Sequence, residues 1–229
     1  LINLHTGDRP IYFTRPGETE YHLQGKLGGD PSLTEKGVRY ADLVADFFRK
    51  ESIKFKEFKD KPVIYSSTLK RSKETAKKLS FLNDIHVVKT LDELNLGQVD
   101  GMTIDDYNTT YGNVEINREG VEYRYPRGES YLDLIQRIEP IIYDLERQRG
   151  PVIVVAHLFV IRCLYGYFTC APIEKIPQID IPLHTIVRFV PEAYGFTEER
   201  INIDMEHEIF TKEENLGMTI TDKLNYIPK

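Results

Sequence analysis

Short runs of β-branched and aromatic residues alternate along this chain with amphipathic segments of helical period. The apolar runs predict five strands, at Ile11–Thr14, Val63–Ser66, Ile85–Lys89, Val152–Ala156 and Thr185–Val190. The fourth run is continuously apolar, which is typical of a strand that is buried on both faces of a mostly parallel sheet. The alternation of strands and helices therefore predicts an α/β domain of three layers. In it, a mostly parallel sheet carries helices on both faces, joined by right-handed crossovers.

The segments of helical period predict four main helices. The first follows Ser32–Glu35, whose Ser-x-x-Glu pattern has the form of a capping box. The second and third are predicted over Thr68–Leu79 and Tyr131–Gln148, and the fourth begins near His157. Pro140 falls inside the third helix, where it is expected to produce a kink because it removes one backbone hydrogen bond.

Composition and charge argue against some classes of binding partner. The chain has 229 residues with a net charge of −6, 41% hydrophobic and 29% charged. This balance disfavours nucleic-acid and anionic-membrane binding, and no apolar run approaches the ~20 residues of a membrane span. Cys163 and Cys170 lie in an apolar stretch and are expected to be buried and reduced, which favours a cytoplasmic location. We expect no metal and no cofactor.

Four side chains suited to phosphate chemistry follow predicted strands. Arg15 comes after the first strand, Arg71 lies early in the helix after the second, and His157 joins the fourth strand to a helix. These positions are at the carboxyl ends of strands, where open α/β sheets bind ligands. Guanidinium groups suit a phosphoryl group, which carries close to two negative charges. Glu93 is the candidate proton donor for a leaving oxygen.

The segment Thr14–Glu20 resembles the phosphate-binding turn of the histidine phosphatase superfamily. The signature of that turn is Arg-His-Gly-Glu, and its histidine is the nucleophile. This chain has Arg15-Pro16-Gly17-Glu18, and proline has no nucleophilic atom and no backbone N–H. The resemblance therefore implies a phosphatase scaffold that lacks the atom that attacks phosphorus.

From Ile11 to Arg200 the chain is similar to the fructose-2,6-bisphosphatase half of the bifunctional 6-phosphofructo-2-kinase/fructose-2,6-bisphosphatase family. The matching strings are Gly28–Pro31, Leu69–Arg71, Tyr123–Tyr131, Val160–Leu164, Pro182–Thr185 and Ala193–Gly195. Their order separates this family from the phosphoglycerate mutase branch of the superfamily. The resemblance nevertheless implies a phosphoglycerate mutase-like fold, because the whole superfamily shares it.

The resemblance assigns roles to several residues of this chain. Arg15, Arg71 and His157 match the phosphate cradle of the family, and Glu93 matches its acid. Tyr131 and Arg162 match positions that hold the sugar bisphosphate; both are present here.

Other substrate-binding positions depart from the family pattern. His22 stands where the family has an asparagine that contacts phosphate, Leu158 where it has glutamine, and Ile104 where it has a tyrosine. A substrate lysine of the family falls near Gly120, so that Arg118 is the only candidate partner in that stretch. Several such changes together indicate natural loss of function rather than a single engineered substitution.

Three functions are compatible with this pattern. The chain could be a pseudophosphatase, regulatory or structural, that still binds a phosphate or sugar-phosphate anion weakly. It could be a residually active hydrolase in which water attacks directly, assisted by Glu93 or His157. It could also be a pure interaction or folding module, either attached to a kinase domain or free-standing. His22 is a poor substitute nucleophile, because in-line attack tolerates little misplacement.

The chain is divided on this basis into a connector (1–10), a histidine phosphatase-like domain (11–205) and a C-terminal tail (206–229). The chain does not begin with Met, and Leu1–Pro10 resembles the connector that follows the kinase in the bifunctional family. We therefore expect a 6-phosphofructo-2-kinase domain upstream in the same polypeptide.

Overall fold

The computed structural model describes residues 9–112, 120–192 and 195–215. Within these residues the strands are β1 (Ile11–Thr14), β2 (Val63–Ser66), β3 (Ile85–Val87), β4 (Val152–Val155), β5 (Thr185–Glu192), β6 (Gly195–Asp204) and β7 (Ile209–Asn215). The helices are α1 (Glu20–Leu23), α2 (Glu35–Phe55), α3 (Lys70–Lys77), α4 (Ile104–Tyr111), α5 (Tyr131–Arg147) and α6 (Leu158–Thr169). Each of the five predicted strands and four predicted helices corresponds to one of these elements.

The strands form one sheet in the order β3-β2-β4-β1-β5-β6-β7. The first four strands of this order are parallel, while β5, β6 and β7 each run antiparallel to the strand before them. The sheet is therefore a parallel half, which carries the helices, extended by an antiparallel meander.

Both faces of the sheet are covered, as the apolar run in β4 predicts. Val152 and Val154 pack into a core with residues of α5 and α6, whereas Ile153 and Val155 pack into a second core with residues of α2 and α3. All four side chains are fully buried. Each contributes roughly 1.5–3 kcal/mol of hydrophobic free energy, so this strand holds the three layers together.

The start of α2 differs from the predicted capping box. The N-cap is Thr34, whose Oγ1 accepts the N–H of Gly37 at 3.0 Å, and not Ser32. Thr34 also donates its hydroxyl to Glu18 Oε1 at 3.0 Å, which ties the helix to the turn after β1. Gly37 packs there so closely on Gly17 that a Cβ on Gly17 would lie 2.3 Å from the Gly37 carbonyl oxygen.

The sheet continues beyond the domain boundary predicted at residue 205. Strand β7 pairs with β6 from Asp204↔Ile209 to Glu198↔Asn215, so the predicted tail begins with a strand of the sheet. This edge strand is rich in charged residues, as exposed edges commonly are, and its apolar pattern is correspondingly weak. Residues 216–229 of the tail, and residues 1–8 of the predicted connector, lie outside the described residues.

One expectation about the cysteines was wrong. Cys163 is buried in α6, but Cys170 follows the end of that helix and is exposed. Its backbone is left-handed, with φ of 52°, and it closes α6 by donating its N–H to carbonyls of the last turn.

The strand order also determines where a site can form. Strands β2, β4 and β1 are adjacent and parallel, so the residues that follow them emerge at one edge of the sheet. These residues are Ser67, His157 and Arg15.

Candidate functional site

A cavity of about 180 Å³ opens at this edge of the sheet. Its wall includes seven of the residues that the sequence singled out, namely Arg15, Pro16, His22, Arg71, Glu93, His157 and Leu158. The structure thus brings the predicted cradle, the predicted acid and the proline into one space. Their roles stay predictions.

Two guanidinium groups line the cavity and donate hydrogen bonds to backbone oxygens. Arg15 Nη1 donates to Ile181 O at 3.0 Å, and Arg71 Nη1 donates to Gly29 O at 2.7 Å. In the described part of the chain, neither forms an ion pair with a carboxylate. Burial lowers the pKa of Arg15 to about 10 and lowers that of Arg71, although Glu93 opposes the shift in both. Both side chains are still charged at neutral pH.

His157 is the N-cap residue of α6 and is 2% exposed. Its Nε2 lies 2.6 Å from Ser67 Oγ, which also accepts the N–H of Leu69 at 3.3 Å. Burial, followed by the positive charges of Arg71 and Arg15, holds the pKa of His157 well below its ordinary value. The imidazole is therefore neutral at pH 7 in the absence of an anion.

Glu93 is held at the start of α6. Its Oε1 accepts the N–H of Leu94 at 3.1 Å and that of Phe159, in the first turn of the helix, at 3.3 Å. Burial raises the pKa of Glu93, while the charge of Arg71 and these hydrogen bonds act against that rise. A carboxyl group with a raised pKa can hold a proton for a leaving oxygen, which is the role the sequence suggested.

His22 also lines the cavity, from the short helix α1. Its Nδ1 accepts the backbone N–H of Thr19 at 3.0 Å and lies 3.0 Å from the hydroxyl of the same residue. The neutral ring consequently carries its proton on Nε2. Burial, and then the charges of Arg15 and Arg71, lower the pKa of His22.

Of the remaining substrate-binding candidates, one lines the cavity and the others that the structure describes lie outside its wall. Leu158 lines the cavity, but the wall that the described residues form does not include Ile104, Tyr131 or Arg162. Arg162 is buried, with Nε donating to Ile179 O at 2.7 Å and Nη1 to Tyr131 Oη at 3.0 Å. Ile104 begins α4 and is exposed. Arg118 lies outside the described residues.

Several residues that the structure places at the site had no role predicted from the sequence. Ser67 contacts His157, and Tyr21, Lys26, Phe159 and Leu183 line the cavity. Ser67 directly follows the end of a predicted strand, and Phe159 lies at the start of a predicted helix. Both could therefore have been found from the sequence. Lys26 had no such signal, since its loop is placed by a bridge to residue 103.

The described residues hold neither a cluster of metal ligands nor a membrane-spanning helix. No group of three or more His, Cys, Asp or Glu side chains there could hold a metal ion. None of the helices described is long and apolar enough to cross a membrane.

Comparisons with known proteins agree with this architecture. Residues 11–204 match the model of the histidine phosphatase superfamily (branch 1). The chain is 41% identical over 205 residues to a 6-phosphofructo-2-kinase/fructose-2,6-bisphosphatase of Arabidopsis thaliana, covering 89% of this chain and 27% of that protein. It is 38% identical to a probable fructose-2,6-bisphosphatase of Schizosaccharomyces pombe, covering 89% of this chain and 48% of that one. The chain thus spans less than half the length of these relatives.

Solved structures support the fold. A mycobacterial glucosyl-3-phosphoglycerate phosphatase superposes with a TM-score of 0.70 at 23% identity, over 90% of this chain and 97% of that one. A phosphoserine phosphatase of Entamoeba histolytica gives 0.63 at 21% identity, over 90% and 96%. The expected phosphoglycerate mutase-like arrangement of a mostly parallel sheet between helices is confirmed. On its matched residues and its architecture, this chain belongs to the histidine phosphatase superfamily, branch 1.

Proposed function

We propose that this chain is a fructose-2,6-bisphosphatase-like domain that binds a phosphate-bearing anion but does not hydrolyse it at a significant rate. The observation that carries the proposal is the pair of largely buried guanidinium groups, Arg15 and Arg71. They line one cavity and form no ion pair with any residue that the structure describes.

Two buried cations that share only one nearby carboxylate, Glu93, and pair with it at no close distance are unfavourable unless an anion neutralises them. A phosphoryl group suits them, since it brings close to two negative charges and three acceptor oxygens. The N-terminus of α6 opens at the same cavity through His157 and adds a partial positive charge. The geometry thus favours an anion with about the charge of a phosphomonoester.

The absence of a nucleophile supports inactivity. Pro16, at the position of the nucleophilic histidine in the family that the chain resembles, offers no atom that could attack phosphorus. The two imidazoles of the cavity are engaged: His22 Nδ1 accepts a backbone N–H, and His157 Nε2 is bonded to Ser67. Without a covalent route, the reaction is not divided into two easier steps.

The names and lengths of its relatives support a place for this domain in a larger protein. The Arabidopsis relative carries both a 6-phosphofructo-2-kinase and a fructose-2,6-bisphosphatase name and is much longer than this chain. We propose that this domain is likewise attached to a kinase domain, in the cytoplasm. There it leaves the kinase product intact and stabilises the kinase through an inter-domain interface.

Two measurements on the purified chain test this proposal. Isothermal titration with inorganic phosphate should detect binding that weakens on Arg71→Met, and incubation with fructose 2,6-bisphosphate should release no phosphate above background. Phosphate release that is abolished by Glu93→Gln would instead support direct attack by water. An absence of phosphate binding would refute the anion site, and the chain would then be an interaction module.

A further inference from the structure

The charges of the cavity wall match those of a single phosphomonoester. Among the described residues, the wall carries three cations, Arg15, Arg71 and Lys26, and one carboxylate, Glu93. This leaves a surplus of two positive charges, and a phosphomonoester carries about −1.5 to −2 at neutral pH. Once the phosphoryl group is bound, the wall has no charge left for a second ionic group. The rest of the ligand should therefore be uncharged.

The uncharged part of the wall is mostly apolar. Apart from Pro16, the described wall has five hydrocarbon side chains, namely Leu27, Leu96, Leu158, Phe159 and Leu183. Leu96 and Phe159 are buried, whereas the three other leucines are half-buried and keep part of their surface accessible. An apolar group that enters the cavity removes this surface from water, which favours its binding.

Hydroxyl groups of a ligand would find few partners in the same wall. Thr19 Oγ1 already lies 3.0 Å from His22 Nδ1, and Glu93 Oε1 accepts two backbone N–H groups. Tyr21 then carries the one remaining uncharged hydroxyl among the wall residues that the structure describes. A ligand rich in hydroxyls would leave some of them unpaired on apolar surface, which is unfavourable.

Leu158 is the apolar residue that is best fixed beside the predicted phosphate cradle. It is the first residue of α6, between His157 and Phe159. His157 Nε2 is bonded to Ser67 Oγ at 2.6 Å, and the N–H of Phe159 donates to Glu93 Oε1 at 3.3 Å. The side chain of Leu158 lines the cavity and also packs against the core between the sheet, α5 and α6. Because both neighbours are anchored, this side chain forms a built part of the wall.

We infer that the cavity selects a compact phosphomonoester of an apolar alcohol, with Leu158 as a specificity-determining residue for the apolar group. This inference rests on the proposed function, because it places the phosphoryl group between Arg15 and Arg71. The ligand is compact because 180 Å³ falls below the roughly 300–1,000 Å³ of pockets for drug-sized molecules.

Two esters of equal charge and equal carbon chain test the inference. Propyl phosphate has a bare three-carbon chain, and glycerol 1-phosphate carries a hydroxyl on two of the same three carbons. Isothermal titration of the full chain should give a dissociation constant about tenfold lower for propyl phosphate, because at least one hydroxyl of the other ester meets apolar surface without a partner. In Leu158→Asn, which keeps the size of the side chain and adds an amide, that ratio should fall to about one to three.

Leu82→Asn is the matched control, because it makes the same change at a half-buried leucine that packs against the core on the opposite face of the sheet. It should keep the wild-type ratio. A wild-type ratio near one, or tighter binding of glycerol 1-phosphate, would overturn the selection of an apolar group. An unchanged ratio in Leu158→Asn would overturn the role of Leu158. Both results leave the phosphate site intact, provided that inorganic phosphate binds the wild type and binds Arg71→Met more weakly. If inorganic phosphate does not bind the wild type, the proposed function fails, and this inference fails with it.

Discussion

Replacing Arg71 by methionine should separate anion binding from folding. The substitution removes a buried cation whose Nη1 donates 2.7 Å to Gly29 O, and it keeps most of the apolar stem. A charge-assisted hydrogen bond is worth about 1.5–3 kcal/mol, so the dissociation constant for phosphate should rise about 10- to 150-fold.

The same change has a predictable effect on thermal unfolding. At a phosphate concentration 100 times its dissociation constant, the wild type gains about 2.7 kcal/mol, and Arg71→Met only about 0.3–1.4 kcal/mol. For a chain of this size each kcal/mol shifts the Tm by about 2–4 °C, so phosphate should raise the wild-type Tm by ~5–11 °C and that of the variant by ~1–6 °C. Without phosphate the two Tm values should be similar, because the variant loses a hydrogen bond but also an unpaired buried charge.

Differential scanning fluorimetry at constant ionic strength measures both quantities. Lys73→Met is the control, since it removes an exposed charge from the same helix. It should leave the phosphate-induced shift unchanged. Equal shifts in the wild type and Arg71→Met would refute the reasoning.

Three further outcomes are expected. Glu93→Gln should tighten phosphate binding at pH 8 more than at pH 5 in titration calorimetry, because the raised pKa makes the carboxyl more readily protonated, and so less repulsive to the anion, as the pH falls; an equal effect at both would contradict this. The pKa of His157 is lowered in the folded state, so below about pH 6.5 the unfolded chain takes up a proton that the folded chain does not. Stability should therefore fall from pH 7 to 5, and His157→Gln should make the fall in Tm shallower; an unchanged slope would show that another group is responsible. Pro16→His alone should hydrolyse fructose 2,6-bisphosphate far more slowly than the triple variant with Leu158→Gln and Ile104→Tyr, since two missing hydrogen bonds could cost ~100-fold or more; equal rates would show that the pocket changes are neutral.

The parts of the fold that the sequence predicts well are those whose pattern is local. The buried run Val152–Val155 is apolar at every position, and both its faces meet helices in the structure. Strand β7 lies at the edge of the sheet and contains the charged run Lys212-Glu213-Glu214, so its composition did not distinguish it from a tail. The cap of α2 was misplaced by two residues because Ser32 and Thr34 are both good N-caps, and the long-range contact of Thr34 with Glu18 decides between them.

In the candidate site, too, the residues marked by a local pattern were predicted and those placed by long-range contacts were not. Arg15, Arg71 and His157 could be found because each follows a predicted strand, and the sheet order brings these strands together. Lys26 depends on a bridge to a residue 77 positions away in the chain, which no local pattern shows. Arg162 was expected to hold a sugar bisphosphate because of the resemblance, but in the structure its guanidinium donates to Tyr131 and to a backbone oxygen.

The central claim is that this domain keeps a phosphate site and lacks the nucleophile that would use it. The most direct test is a rapid-quench experiment with fructose 2,6-bisphosphate labelled in the 2-phosphate, on the wild type and on Pro16→His. The denatured protein is counted under alkaline conditions, which preserve phosphohistidine. We predict no label on the wild type and a detectable level on Pro16→His. Label on the wild type in amounts approaching one per chain would contradict the account.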